Sequence, residues 1–193
     1  MSKPRSVAEA IAGALLRHGV DVLFSQSLPS AVLLACGDLG LRGYTYRTEN
    51  AGAAMADGYA RISGRAAVVT AQNGPAATLL VPGLAEALKS SVPIIALVQD
   101  VNRRETDRNA FQEFDHLVLF QGCTKWIRRV TEPSRIDDYI DMAFTAATSG
   151  RPGPAVLMLP ADLLLEAAEF ISPRVEYLGE YPLVRTMAVP ASM

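Results

Sequence analysis

Residues 66–98 read AAVVTAQNGPAATLLVPGLAEALKSSVPIIALV. The run 66–71 is small and β-branched, with no polar alternation. It ends at Gln72, Asn73, Gly74 and Pro75. A proline there suits the first turn of a helix, where its missing N–H is not needed. The spacing predicts a helix from Pro75 to about Ser90. A second apolar run, 93–98, follows at once. Strand, helix and strand in this order, with strands apolar on both faces, predict a parallel sheet covered by helices on both sides.

The same alternation extends outward in both directions. Ser6 and Glu9 fit a capping box, and Val7, Ile11, Leu15 and Leu16 give the first helix its apolar face. Gly19 suits the end of that helix. A strand is expected at 20–24, a helix from Pro29 toward Gly37, and a strand at 44–48. An Ala-rich helix then runs to Gly64. Residues 100–112 read as a polar loop. Strands at 125–130 and 155–159 flank a helix at 134–148, which Gly150, Pro152, Gly153 and Pro154 terminate. The expectation is an α/β domain over residues 1–170, with about six parallel strands and helices on both faces. Residues 171–193 contain Pro173, Pro182 and Pro190 without a clear period, and read as a linker. In such sheets ligands bind outside the carboxyl ends of the strands. That rule selects the segments after Phe24, at Glu49 and after Ala71.

Composition narrows the function. The chain has 193 residues, a formal net charge of -2 and no basic stripe, which disfavours nucleic acid and anionic membranes as partners. The longest apolar runs are far shorter than a bilayer span. No secretory signal is evident in the first residues. Cys36 and Cys123 form no metal-type pair, so the expected compartment is the cytoplasm, with both thiols reduced.

Residues 47–61 read RTENAGAAMADGYAR. A single carboxylate, Glu49, stands between a strand end and a helix of very small residues. Ala51, Gly52, Ala53, Ala54, Ala56, Gly58 and Ala60 let another backbone or a flat ligand come close. The plain reading of Glu49 is an acid complementing a helix dipole. His18 reads as a surface histidine at a helix C-terminus. His116 reads as a lone histidine without visible partners.

The stretch from Glu49 to Arg61 resembles the Glu-x-x-Ala-x-x-Ala-Asp-Gly-Tyr-Ala-Arg signature of thiamine-diphosphate enzymes of the acetolactate synthase and pyruvate oxidase type. Further motifs fall in order over about residues 5–165. Residues 70–78 (TAQNGPAAT) resemble the family's Gly-Pro-Gly turn. Residues 110–113 (AFQE) and 124–126 (TKW) resemble a pair of acetolactate synthase motifs. Residues 150–160 (GRPGPAVLMLP) resemble the entry to the family's last strand. Five motifs in order overturn the plain reading of Glu49.

The resemblance implies a thiamine-diphosphate-binding fold of the pyrimidine-binding type, with thiamine diphosphate as cofactor. It implies that Glu49 shares a proton with the aminopyrimidine ring and so activates the cofactor. It implies that Gln72, Asn73, Gly74, Pro75 and Pro29 line that ring, and that Phe111, Gln112 and Lys125 lie near a 2-oxo acid substrate such as pyruvate. No metal ligand is assigned to this chain. The family binds the diphosphate through Mg²⁺ in a second domain, marked by Gly-Asp-Gly and Asn-Asn, and neither motif occurs here. A homodimer or homotetramer is therefore expected, with the diphosphate-binding domain supplied by a neighbouring subunit. The full-length enzyme would be a carboligase or decarboxylase, and this chain alone inactive. Two alternatives stay open: a stand-alone pyrimidine-binding subunit, and a non-catalytic scaffold of the same fold. Flavin (FAD) binding also stays open. The chain departs from the family pattern after its first strand, where Ser25, Gln26, Ser27 and Leu28 precede Pro29, and at Ala76 and Leu79. These departures bear on the substrate more than on the cofactor.

Overall fold

The computed structural model of the chain describes residues 5–168. Helix α1 (Val7–Arg17) starts at the predicted capping box. The Ser6 hydroxyl accepts the Glu9 N–H at 3.2 Å, and the Glu9 carboxylate accepts the Ser6 N–H at 2.5 Å. The helix closes on Gly19, whose φ is +73°. Val20 N–H then reaches the Leu15 carbonyl and Gly19 N–H the Leu16 carbonyl, the paired bonds of a Schellman stop.

The chain continues as β1 (Val22–Ser25), α2 (Ser30–Asp38), β2 (Arg42–Thr45), α3 (Glu49–Ser63), β3 (Ala67–Ala71), α4 (Pro75–Ser90) and β4 (Ile94–Asp100). It ends with α5 (His116–Gln121), β5 (Trp126–Arg129), α6 (Ile136–Thr148) and β6 (Ala155–Pro160). The six strands form one sheet in the order β2-β1-β3-β4-β6-β5, and every neighbouring pair is parallel. The predicted fold class is therefore the observed one.

The strands bury both faces. Leu23, Val68, Ile95, Leu97 and Leu157 join the core under α1, α2 and α6. Val22, Val69, Ile94, Ala96 and Val156 join the core under α3, α4 and α5. This explains why the central strands show no polar alternation. Helices α3 and α4 approach closely: a Cβ on Gly83 would lie 2.4 Å from the Ala53 Cβ. Much of the small-residue character of α3 thus serves packing within the chain.

Three expectations need correction. The second strand lies at 42–45 rather than 44–48, because its ladder ends where β1 ends, with Tyr46 N–H on the Ser25 carbonyl. Tyr46 then turns inward and is buried. Asp100 closes β4 instead of opening a loop, and a 3-10 turn at Arg103–Glu105 follows. His18 is no surface histidine. Its ring stacks on Phe144 at 4.2 Å, and Nε2 lies 2.5 Å from the buried Asp141 carboxylate. Burial pushes Asp141 up, but His18 and Arg17 hold its carboxyl below the ordinary range. The expected linker at 171–193 lies outside the described residues.

Candidate functional site

From β1 the chain crosses to β2 on one side and then to β3 on the other. This reversal opens a crevice at the carboxyl ends of β1 and β3, the place where such sheets bind ligands. The two loops at that point are tied together. The Thr70 hydroxyl donates to the Leu28 carbonyl at 3.0 Å. Pro29, the next residue, caps the start of α2. Across β1, the Tyr46 hydroxyl donates to the Thr70 carbonyl at 2.5 Å.

Glu49 is the first residue of α3, at this same edge. It is only 7% exposed. Among the described residues no donor lies within hydrogen-bond distance of its carboxylate. Its oxygens are not among the fully enclosed polar atoms that lack a partner, so the carboxylate opens toward the sheet edge, where a ligand can reach it. Burial, with the Glu49 charge behind it, pushes the Tyr46 hydroxyl well above its ordinary range. The tyrosine therefore stays a neutral donor to Thr70.

The turn after β3 carries Gln72, Asn73, Gly74 and Pro75, and the loop 107–113 packs on it. The Gln72 side chain donates to the Gln112 side-chain oxygen at 2.7 Å. Asn73 donates to the Phe111 and Gln112 carbonyls at 3.2 and 3.0 Å. Gly74 has φ +67° and ψ −131°, a region that side chains avoid. A Cβ there would lie 2.7 Å from the Gln112 Cβ. The loop is itself tight, with positive φ at Asp107, Asn109 and Gln112. Glu113 holds it together, its carboxylate accepting the N–H of Ala110 at 2.9 Å and of Asp107 at 2.6 Å.

Beneath the turn lies a fully buried histidine. His116 Nε2 accepts the Gly74 N–H at 2.8 Å, and Nδ1 faces Asp100 Oδ1 at 3.6 Å. Asp100 is in turn held by Arg129 at 2.7 Å and by the Val101 N–H at 2.9 Å. Burial pushes Asp100 up, but His116, Arg129 and the Val101 N–H keep it below the ordinary carboxylate range. The reading of His116 as a residue without partners is thus overturned.

The structure brings Gln72, Asn73, Gly74, Pro75, Phe111 and Gln112 together, and sets Glu49 and Pro29 at the same sheet edge. Phe111 is 80% exposed there, not a core aromatic. Lys125 is not among them. It precedes β5, and the register Trp126 with Ala155 puts it at the amino ends of the parallel strands. Its Nζ donates to the Ser149 carbonyl at 2.5 Å. Tyr46, Thr70, Asp100 and Glu113 also shape the site, and none was singled out from the sequence. Among the described residues no group of three or more His, Cys, Asp or Glu side chains is arranged to hold a metal ion. No helix among them is long and apolar enough to cross a membrane.

Comparison with known proteins identifies the family of the chain. Residues 5–119 match the family described as thiamine pyrophosphate enzyme, N-terminal TPP binding domain. The probable acetolactate synthase large subunit of Methanocaldococcus jannaschii is 41% identical over 160 residues, 81% of this chain and 27% of that protein. The chloroplastic acetolactate synthase of Arabidopsis thaliana is 37% identical over 172 residues, 86% of this chain and 25% of that protein. The acetolactate synthase isozyme 2 large subunit of Escherichia coli is 35% identical over 166 residues, 84% of this chain and 30% of that protein. The chain thus spans less than a third of the length of these relatives. It belongs to the thiamine pyrophosphate enzymes, as an N-terminal TPP-binding domain related to acetolactate synthase large subunits.

Proposed function

We propose that the chain is the pyrimidine-binding half of a thiamine-diphosphate carboligase or decarboxylase acting on a 2-oxo acid such as pyruvate. The observation that carries this reading is Glu49, mostly buried as a residue at the sheet edge, with a carboxylate that no donor among the described residues occupies. It fits a ligand ring nitrogen bearing a proton. When bound, the cofactor would supply nucleophilic carbon chemistry toward a 2-oxo acid carbonyl.

Glu49 would hold the proton at the aminopyrimidine ring nitrogen. Its place as the first residue of α3 sets the carboxylate at the sheet edge where the ring would lie. Gln72, Asn73, Gly74 and Pro75 form one wall, fixed by the bonds to the loop 107–113. The Leu28–Pro29 segment forms another, fixed by Thr70. Phe111 and Gln112 stand on the side from which a substrate approaches. Lys125, at the opposite edge, has no part in this wall.

The diphosphate and Mg²⁺ are assigned to a diphosphate-binding domain of a neighbouring subunit in a homodimer or homotetramer. The exposed residues Asn50, Ala54, Gly58 and Ile62 recur every four positions along α3. That narrow stripe suits a second subunit. The proposed compartment is the cytoplasm, in keeping with two free, buried thiols.

The test is pyruvate consumption by the chain assembled with a diphosphate-binding domain, with thiamine diphosphate and Mg²⁺ added or withheld. Consumption should require both. Consumption that persists without thiamine diphosphate contradicts the reading.

A further inference from the structure

We propose that His116 is a positioning residue for the turn at 72–75, and that it acts as the hydrogen-bond acceptor that fixes Gly74. The inference rests on the reading of that turn as a wall of the cofactor site.

Gly74 is the N-cap of helix α4, and the first N–H groups of a helix lack intrahelical acceptors. Pro75 has no N–H to offer. The Gly74 N–H does not face the crevice, because His116 Nε2 takes it at 2.8 Å in a buried contact. The amide end of α4 is therefore closed to a ligand at this position. What the turn presents instead is set by Gln72 and Asn73, whose side chains are bonded to the loop carrying Phe111 and Gln112.

An acceptor at Nε2 requires the ring proton on Nδ1. Nδ1 is buried, has no partner within hydrogen-bond distance, and faces the Asp100 carboxylate at 3.6 Å. The charge on Asp100 selects this tautomer, and Arg129 fixes the carboxylate from the side of β5. A row of contacts thus runs from Arg129 through Asp100 and His116 to Gly74. The opposite tautomer would set an Nε2 proton against the Gly74 proton. The Gly74 backbone lies in a region only glycine tolerates, against Gln112.

A histidine that merely fills space gives a different forecast from one that accepts a bond. His116→Leu keeps the apolar bulk and removes the acceptor. His116→Gln can return an oxygen near the place of Nε2. Because a buried donor left without its acceptor is expensive, Gly74 amide exchange should speed up about tenfold or more in His116→Leu. In the assembled enzyme, half-maximal activity should then need about tenfold more thiamine diphosphate. His116→Gln should recover most of both. Unchanged protection in His116→Leu, or a leucine variant at least as good as the glutamine one, overturns the proposal.

Nitrogen NMR of the unaltered chain gives a check that needs no variant to fold. Nδ1 of His116 should be protonated and Nε2 bare. The reverse tautomer contradicts the proposal. If the enzyme proves indifferent to thiamine diphosphate, the functional reading fails, while the tautomer and the Gly74 exchange still judge the role of His116.

Discussion

The ring of Tyr46 lies over Gly52, so closely that a Cβ on the glycine would come within 2.3 Å of the ring. This contact lets Tyr46 turn inward directly after β2 and place its hydroxyl on the Thr70 carbonyl. Glu49 follows three residues later. The glycine of the small-residue helix is thus a seat for the residue that leads the chain to Glu49.

Gly52→Ala should therefore overpack this corner. A loss of about 1–3 kcal/mol is expected for forcing a methyl into a filled core. A chemical denaturation midpoint measures it. A midpoint equal to that of the parent protein would show that the ring gives way freely.

Tyr46→Phe removes only the hydroxyl. The bond to Thr70 is worth about 0.5–1.5 kcal/mol by the usual range for such bonds. Thermal unfolding of the variant should show a small loss of that order. The benefit of the Tyr46 ring on Gly52 should remain, so Tyr46→Ala should cost clearly more.

Glu113 makes the loop 107–113 sensitive to acid. The N–H groups of Ala110 and Asp107 hold its carboxyl below the ordinary value of 4.5. A depressed carboxylate contributes fully above its unfolded value, and the contribution fades as pH falls through the lowered folded value. Loop order should therefore be constant from neutral pH to about 5 and decline only in stronger acid. Amide chemical shifts of residues 107–112 along a pH titration would report this. Glu113→Gln should show the disturbed shifts already at neutral pH.

Cys36 and Cys123 should be unreactive in the folded chain. Burial pushes the Cys36 thiol up to about 12 and the Cys123 thiol up to about 11. Little thiolate then exists at neutral pH. A thiol reagent should label neither cysteine quickly in buffer and both in denaturant. Fast labelling of either without denaturant would mean that its cover opens readily.

The periodic parts of the fold were legible from the sequence, because apolar runs, Ser6 with Glu9, and Gly19 act locally. The extent of β2 was not, since the end of β1 sets where that ladder stops. The partners of the two histidines escaped for a similar reason. Yet both left a trace. Asp100 shares the parity of Ile94, Ala96 and Val98, so it points to the face that α5 covers. Asp137 and Asp141 sit on the buried stripe of α6 with Ile140 and Phe144. Acids on an apolar stripe call for polar partners, and Arg5, Arg17 and His18 supply them. Glu49 was found through its motif, whereas its missing donor is visible only in three dimensions.

The most direct measurement is turnover of pyruvate by Glu49→Gln in the assembled enzyme, with its unfolding midpoint recorded alongside. Glutamine keeps the shape and removes the ionisable carboxylate. Turnover should fall by orders of magnitude while the midpoint changes little. Turnover equal to that of the unaltered enzyme would contradict the assignment of Glu49 as the group that activates the cofactor.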